Sequence, residues 1–184
     1  MTDMANRLAG GIKALRRQRG WSLDRAAGET GVSKAMLGQI ERAESSPTLN
    51  TLWKIARGYE IPFSEFLVPL TEEDAESDSA LAPAGADLKV RPLVPYDGAM
   101  RAELLELTLD PGSVRESEAH EAGVVEHVIL VRGRMSVLDE GAWRPLTAGG
   151  VHRFAADRPH GYRNDSGTES AVFHNLIFYP QGRK

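Results

Sequence analysis

Apolar residues recur at three- and four-residue steps through the first third of the chain and at two-residue steps through the last half. That change of period predicts a helical unit followed by a unit built of strands. Leu8, Ile12 and Leu15 share one face of a helix expected over 7–19, with Arg and Lys opposite, and Gly20 ends it. The stretch LDRAAGETGVSKAMLGQIE, 23–41, reads as two short helices around a tight turn at Gly31-Val32-Ser33. Ser33 is placed to cap the second of them. Leu37 and Ile40 are expected inward, and Lys34, Ala35, Gly38 and Gln39 outward. Ala27, Gly31 and Leu37 have helix-turn-helix spacing, in which a small residue admits the crossing helix, glycine makes the turn and Leu37 packs. Ser46 or Thr48 is placed to cap a fourth helix carrying Leu49, Leu52, Trp53, Ile55 and Ala56. Pro62 is expected to open a fifth, SEFLV.

From Lys89 the period is two, with candidate strands at 89–95, 100–109, 124–131, 134–138, 151–154 and 171–179. Gly and Pro turns at short intervals between them predict a sandwich or small barrel. Residues 69–88 fit neither pattern: Glu72, Glu73, Asp74, Glu76 and Asp78 crowd together, Ala, Pro, Gly and Ser follow, and no basic residue occurs. This reads as an acidic flexible linker between domains at 1–68 and 89–184.

Charge separates the two domains further. The chain's net charge of −4 divides into +3 over residues 1–68 and −7 over the remainder. Lys13, Arg16, Arg17, Arg19, Arg25 and Lys34 gather near the helix pair, as a surface held on phosphates requires. A hydrophobic content of 41% supports real cores, and the absence of Cys excludes disulfides and zinc–thiolate sites. No long apolar run or signal-like N-terminus occurs, so a cytoplasmic protein with no membrane partner is expected.

The motif TGVSKAMLGQIERAESSPTLNTLWKIA, together with LRRQRG before it, resembles the lambda-repressor-like, XRE-type DNA-binding domain. The resemblance implies an all-α five-helix domain. It places Gln39 as the base-reading glutamine, suited to adenine N6 and N7, with Lys34 and Ala35 beside the groove. Ser33, Arg42, Ser45, Ser46 and Thr48 fall at phosphate-contacting positions. Arg16 and Glu41 match a pair that joins the first helix to the third. Gly38 stands where Ser is more usual, which would remove a contact.

Two later segments, GSVRESEAHEAGVVEHVILVRG at 112–133 and GGVHRFAADRPHGYRN at 149–164, resemble the two motifs of the cupin superfamily. The implied fold is an all-β double-stranded β-helix, or jelly roll, so the whole chain would be a multidomain α + β protein. In metal-bearing cupins three histidines and a glutamate converge inside the barrel. By position His120, Glu126 and His160 match three of these, while Glu118 replaces the first histidine. Such a set suits Zn, Fe, Mn or Ni as the divalent ion. A metal-free pocket, in which the same residues bond to one another or to an effector, is the alternative. His127 should face away from Glu126. His174 shares a face with Val172 and Leu176 and is expected to look into the barrel as an effector contact. His152 is expected on a surface strand, and Val128, Leu130 and Val137 are divided between core and interface.

The combined architecture resembles bacterial transcription regulators whose cupin domain senses a small molecule. It implies a homodimer on double-stranded DNA with a palindromic operator, answering to a small polar metabolite. Two alternatives stand beside it: a cupin metalloenzyme of dioxygenase or isomerase type fused to a DNA-binding head, and a cupin that serves only to dimerise.

Overall fold

The computed structural model describes residues 3–66 and 87–180. Contacts divide the chain into two compact units, with the division at Ser79/Ala80. Most of the expected linker therefore lies outside the described residues.

The first unit contains α1 (Asp3–Gln18), α2 (Leu23–Thr30), α3 (Lys34–Glu41) and α4 (Leu49–Tyr59). Each of the three later helices begins with a hydroxyl that accepts a backbone N–H of the first turn: Ser22 from Arg25, Ser33 from Met36, Thr48 from Thr51. Gly31 closes α2 in the left-handed region at φ 66°, the conformation glycine adopts without penalty and the one the tight turn requires. Ile12, Ala26, Leu37, Ile40, Leu52, Ile55 and Tyr59 bury together. Trp21 stacks on Tyr59 and Trp53 on Phe63, which seals the ends of this small core.

The expected fifth helix is instead a 3-10 turn at Phe63–Phe66, so the described residues hold four α-helices and not five. After Pro62 the chain makes a bond from Glu65 N to Pro62 O, an i→i+3 closure too tight for an α-turn. Helix α1 starts four residues earlier than expected.

The second unit holds nine strands among the described residues: β1 (Leu88–Asp97), β2 (Ala102–Leu109), β3 (Val114–Ser117), β4 (Val125–Arg132), β5 (Arg134–Asp139), β6 (Ala142–Thr147), β7 (Val151–Ala155), β8 (His160–Asn164) and β9 (Ala171–Phe178). They form a five-stranded sheet ordered β1-β2-β9-β4-β7 and a four-stranded sheet ordered β3-β8-β5-β6. This corrects the expected jelly-roll barrel: among the described residues the strands form two separate sheets, neither of them closed. Edge strands β1 and β6 carry Pro92, Pro95 and Pro145, which lack the N–H that an extended ladder needs. Two register shifts in β1 interrupt its ladder further.

On the five-stranded sheet the inward row is mostly apolar, while the outward face mixes apolar residues with polar ones such as Arg91, Glu106 and His174. Leu105, Leu109, Val128, Leu130, Phe173 and Ile177 are buried, as are Met135 and Val137 on strand β5 of the other sheet. Val128, Leu130 and Val137 thus all belong to the core. On the opposite face Leu104, Ile129 and Leu176 are half-buried, while Val94, Val131, Val151 and Phe178 are exposed. No helix among the described residues is long and apolar enough to cross a membrane.

Candidate functional site

Helix α3 presents Lys34, Ala35, Met36 and Gln39 to solvent while Leu37 and Ile40 anchor it. The anchoring is reinforced by Arg16 of α1, whose guanidinium meets both oxygens of Glu41. Gly38 is buried, not outward: a Cβ there would lie 3.1 Å from Arg42 Nη1 and 3.9 Å from a Leu23 methyl. The bare glycine makes room for the Arg42 guanidinium to fold back along the helix. Arg42 also pairs with Glu44 at 2.7 Å, and Lys34 with Asp24 at 2.9 Å, both in solvent. Exposed pairs of this kind are worth little and yield readily to a phosphate. Ser33 caps α3 by accepting, so its hydroxyl proton remains available for an outside acceptor, whereas the Thr48 hydroxyl both caps α4 and lies 2.9 Å from that of Thr51. Ser46 is exposed and Ser45 half-buried on the same loop.

In the second unit, β4 turns Glu126 inward, β8 begins with His160, and the loop before β4 supplies His120. The ligand atoms of these three residues lie within 4.8 Å of one another. His120 Nε2 is 2.8 Å from Glu126 Oε1, and His160 Nε2 is 3.7 Å from the same oxygen. The His120 loop is fastened to the β7–β8 connection by bonds from His120 N to Ala156 O and from Gly123 N to Asp157 Oδ2. His160 Nδ1 lies 2.9 Å from the Arg158 carbonyl. A carbonyl only accepts, so the proton sits on Nδ1 and Nε2 turns a lone pair toward the carboxylate. Two acceptors facing each other in a buried site are what a cation resolves.

Glu126 accepts through Oε2 from the Tyr162 hydroxyl and from Asn175 Nδ2 at 2.9 Å. Burial works to raise its carboxyl, but the His120 hydrogen bond, the two imidazoles and the Tyr162 hydroxyl prevail and hold it at about 2. Burial drives His160 below its ordinary value despite Glu126, so this imidazole is neutral at neutral pH. The ionised carboxylate therefore leans on hydrogen bonds from His120, Tyr162 and Asn175. Tyr162, buried against that charge, is raised well above the ordinary tyrosine value. Two imidazole nitrogens and a carboxylate oxygen can coordinate a divalent ion such as Zn, Fe, Mn or Ni.

The structure does not bring Glu118 or His174 into this cluster. Ser117 pairs with His160, so the next residue, Glu118, leaves that face and is exposed. His174 lies on the outward face of the five-stranded sheet, 3.5 Å from Glu106. His127 is outward as expected, edge-on to Phe178. His152 is less exposed than a surface strand implies: it bonds Asp139 Oδ2 at 3.0 Å and stacks on Phe154. Sequence reasoning missed Tyr162 and Asn175. Both carry a signal, being polar residues at alternate positions with His160 on β8 and with Phe173 and Ile177 on β9.

A capped, solvent-facing helix of a helix-turn-helix pair, joined in one chain to a histidine–carboxylate cluster, defines a DNA-binding regulator with a unit able to hold a ligand or metal. Comparison with known proteins gives the same class. Residues 12–66 match the helix-turn-helix family HTH_3, and residues 105–177 match the cupin domain family Cupin_2. The HTH-type transcriptional regulator SutR of Escherichia coli (strain K12) is 45% identical over 181 residues, covering 98% of this chain and 99% of that protein. A crystal structure of an HTH_3 family transcriptional regulator from Vibrio cholerae superposes with a TM-score of 0.87 at 42% identity, covering 98% of this chain and 100% of that one. The Cupin_2 domain of an XRE family transcriptional regulator from Enterobacter cloacae is 41% identical with a TM-score of 0.50, covering 52% of this chain and all, 100%, of that domain. The chain belongs to the XRE-family helix-turn-helix transcriptional regulators that carry a cupin domain. The two relatives that share 45% and 42% identity with it over 98% of its length are both transcriptional regulators.

Proposed function

We propose that this regulator acts as a cytoplasmic homodimer on a palindromic operator and that a small polar metabolite, bound beside a divalent ion at His120, Glu126 and His160, sets its affinity for DNA. In this reading Gln39 reads a base, Lys34 and Ala35 line the groove, and Ser33, Arg42, Ser45, Ser46 and Thr48 hold phosphates. The observation that carries it is the exposure of Lys34, Ala35 and Gln39 on a helix anchored by Leu37, Ile40 and the Arg16–Glu41 pair. The buried acceptor pair at Glu126 and His160 supports the ion. The exposed apolar residues Val94, Val131, Val151 and Phe178 on the outward face of the five-stranded sheet support self-association, because exposed apolar surface favours a cover. Residues 69–88 then act as the acidic linker between a head of residues 1–68 and a sensor of residues 89–184.

The test selects DNA from a random pool with the full chain, with and without Zn(II), and measures the mass of the complex by ultracentrifugation. Enriched inverted repeats bound by two copies, with affinity altered by the ion, are expected. Non-palindromic sites bound by one copy would overturn the dimeric reading, and metal-independent binding would overturn the coupling.

A further inference from the structure

We propose that Asn175 and Tyr162 are positioning residues for the His120–Glu126–His160 site: they immobilise Oε2 of Glu126, so that Oε1 is the single carboxylate oxygen offered to an ion. The inference rests on the metal reading above and concerns residues that reading leaves aside.

Three features carry it. Glu126 Oε2 takes two donors, the Tyr162 hydroxyl from the four-stranded sheet and Asn175 Nδ2 from β9, and Asn175 Nδ2 also lies 3.2 Å from the Tyr162 oxygen. With its lone pairs engaged in this way, Oε2 is withheld from a cation, while Oε1 faces both imidazoles. Next, the amide orientation of Asn175 is dictated by charge, since the reverse orientation would set Oδ1 against an ionised carboxylate. That orientation leaves Oδ1 buried with no hydrogen-bond partner. A fold that only needed to fill this space would do better with an apolar residue, because an unmet buried acceptor is costly. Finally, Ala171, Phe173 and Ile177 make the rest of this inward row apolar. Asn175 is its single polar member, and it stands next to Val128 at the level where it can reach Glu126.

The consequence is chemical. A carboxylate bound through one oxygen, with two imidazoles, supplies three protein donors and leaves positions of a tetrahedral or octahedral ion open. A carboxylate free to bind through both oxygens would occupy a further position. The pair thus preserves a vacancy where an outside ligand with a donor atom can join the ion.

The test uses the full chain with Co(II) alone as probe, following the visible absorption bands during titration. Glu126→Gln serves as the control that the ion binds at this site. Tyr162→Phe and Asn175→Leu each remove one donor, with folding checked by circular dichroism. Both variants are expected to bind Co(II) about 10- to 100-fold more weakly, the range for loss of an outer hydrogen bond, with a shifted visible band as the carboxylate is released. A merely structural role would lower the melting temperature of the metal-free chain and leave the band in place. A folded variant with the parent's affinity and band overturns the proposal while sparing the metal reading. A parent chain that binds no Co(II), or binds it equally after Glu126→Gln, overturns the metal reading and this proposal with it. Should Asn175→Leu fail to fold, Tyr162→Phe decides.

Discussion

Arg16 of α1 and Glu41 of α3 meet as a two-point ion pair, Nε to Oε1 at 2.6 Å and Nη2 to Oε2 at 2.8 Å, while Nη1 bonds the Trp21 carbonyl at 2.8 Å. One guanidinium therefore fixes the last turn of α3 to both α1 and the start of α2. The pair is largely removed from water, with 15% and 6% of its side chains exposed. Glu41→Ala is expected to lower stability by about 3 kcal/mol by leaving the cation half-satisfied, while a paired Arg16→Met, Glu41→Leu exchange comes close to neutral. Urea unfolding of the three proteins checks this. Equal losses for the single and double exchanges would show that packing rather than charge governs the contact.

Gln39 is exposed on α3 and free of the packing that holds Leu37 and Ile40. Its replacement by Ala is expected to cost about 1–3 kcal/mol against the preferred base pair at one operator position and little elsewhere. Binding to a set of single-base operator variants measures it. A uniform loss across all sequences would assign Gln39 to the backbone.

Acid should weaken the metal-free chain in two stages. His160 is lowered from 6.5 by burial, so the unfolded chain takes up a proton that the folded chain refuses. Stability is complete above that ordinary value and falls as pH drops through it. Glu126, held at about 2 against an ordinary 4.5, adds a second loss below 4.5, where only the unfolded carboxyl is protonated. Melting temperatures between about pH 8 and about pH 2 trace both stages. His160→Gln should flatten the upper one; a slope unchanged in that variant would place its origin elsewhere.

Gly58 is a packing constraint within the head. A Cβ at this position would lie 2.5 Å from Thr30 Cα and 2.6 Å from the Glu29 carbonyl, both backbone atoms unable to swing aside. Gly58→Ala, ordinarily a gain inside a helix, is expected to destabilise by about 1–3 kcal/mol through separation of α4 from α2. Thermal unfolding tests the sign. A stabilised variant would mean the helices part at no cost.

The helix pair was legible because period, cap and turn agree at Ser33, Gly31 and Leu37, each acting over a few residues. The burial of Gly38 was not, since it depends on where the Arg42 side chain folds. On β9 the alternation was read correctly, yet Val172 and Leu176 are as apolar as Phe173 and Ile177. Parity alone could not say which row faces the core, and His174 went to the wrong side. The strand HGYRN has no apolar alternation to mark it, because its buried His160, Tyr162 and Asn164 are polar. Their burial is sustained by hydrogen bonds to distant elements, such as Asn164 Nδ2 to the Leu109 and Glu169 carbonyls. Local sequence carries the candidate ligands, while the residues that orient them emerge only when two sheets are laid together.

The exposed side of the five-stranded sheet also makes the abundance of the chain a variable. A lone copy leaves Val131, Val151 and Phe178 in water. If two copies cover this face together, pairing is second order in chain, and by mass action halving a dilute, mostly unpaired population cuts the number of paired heads about fourfold. Operator occupancy would then respond to how much protein a cell makes as steeply as to what the pocket holds.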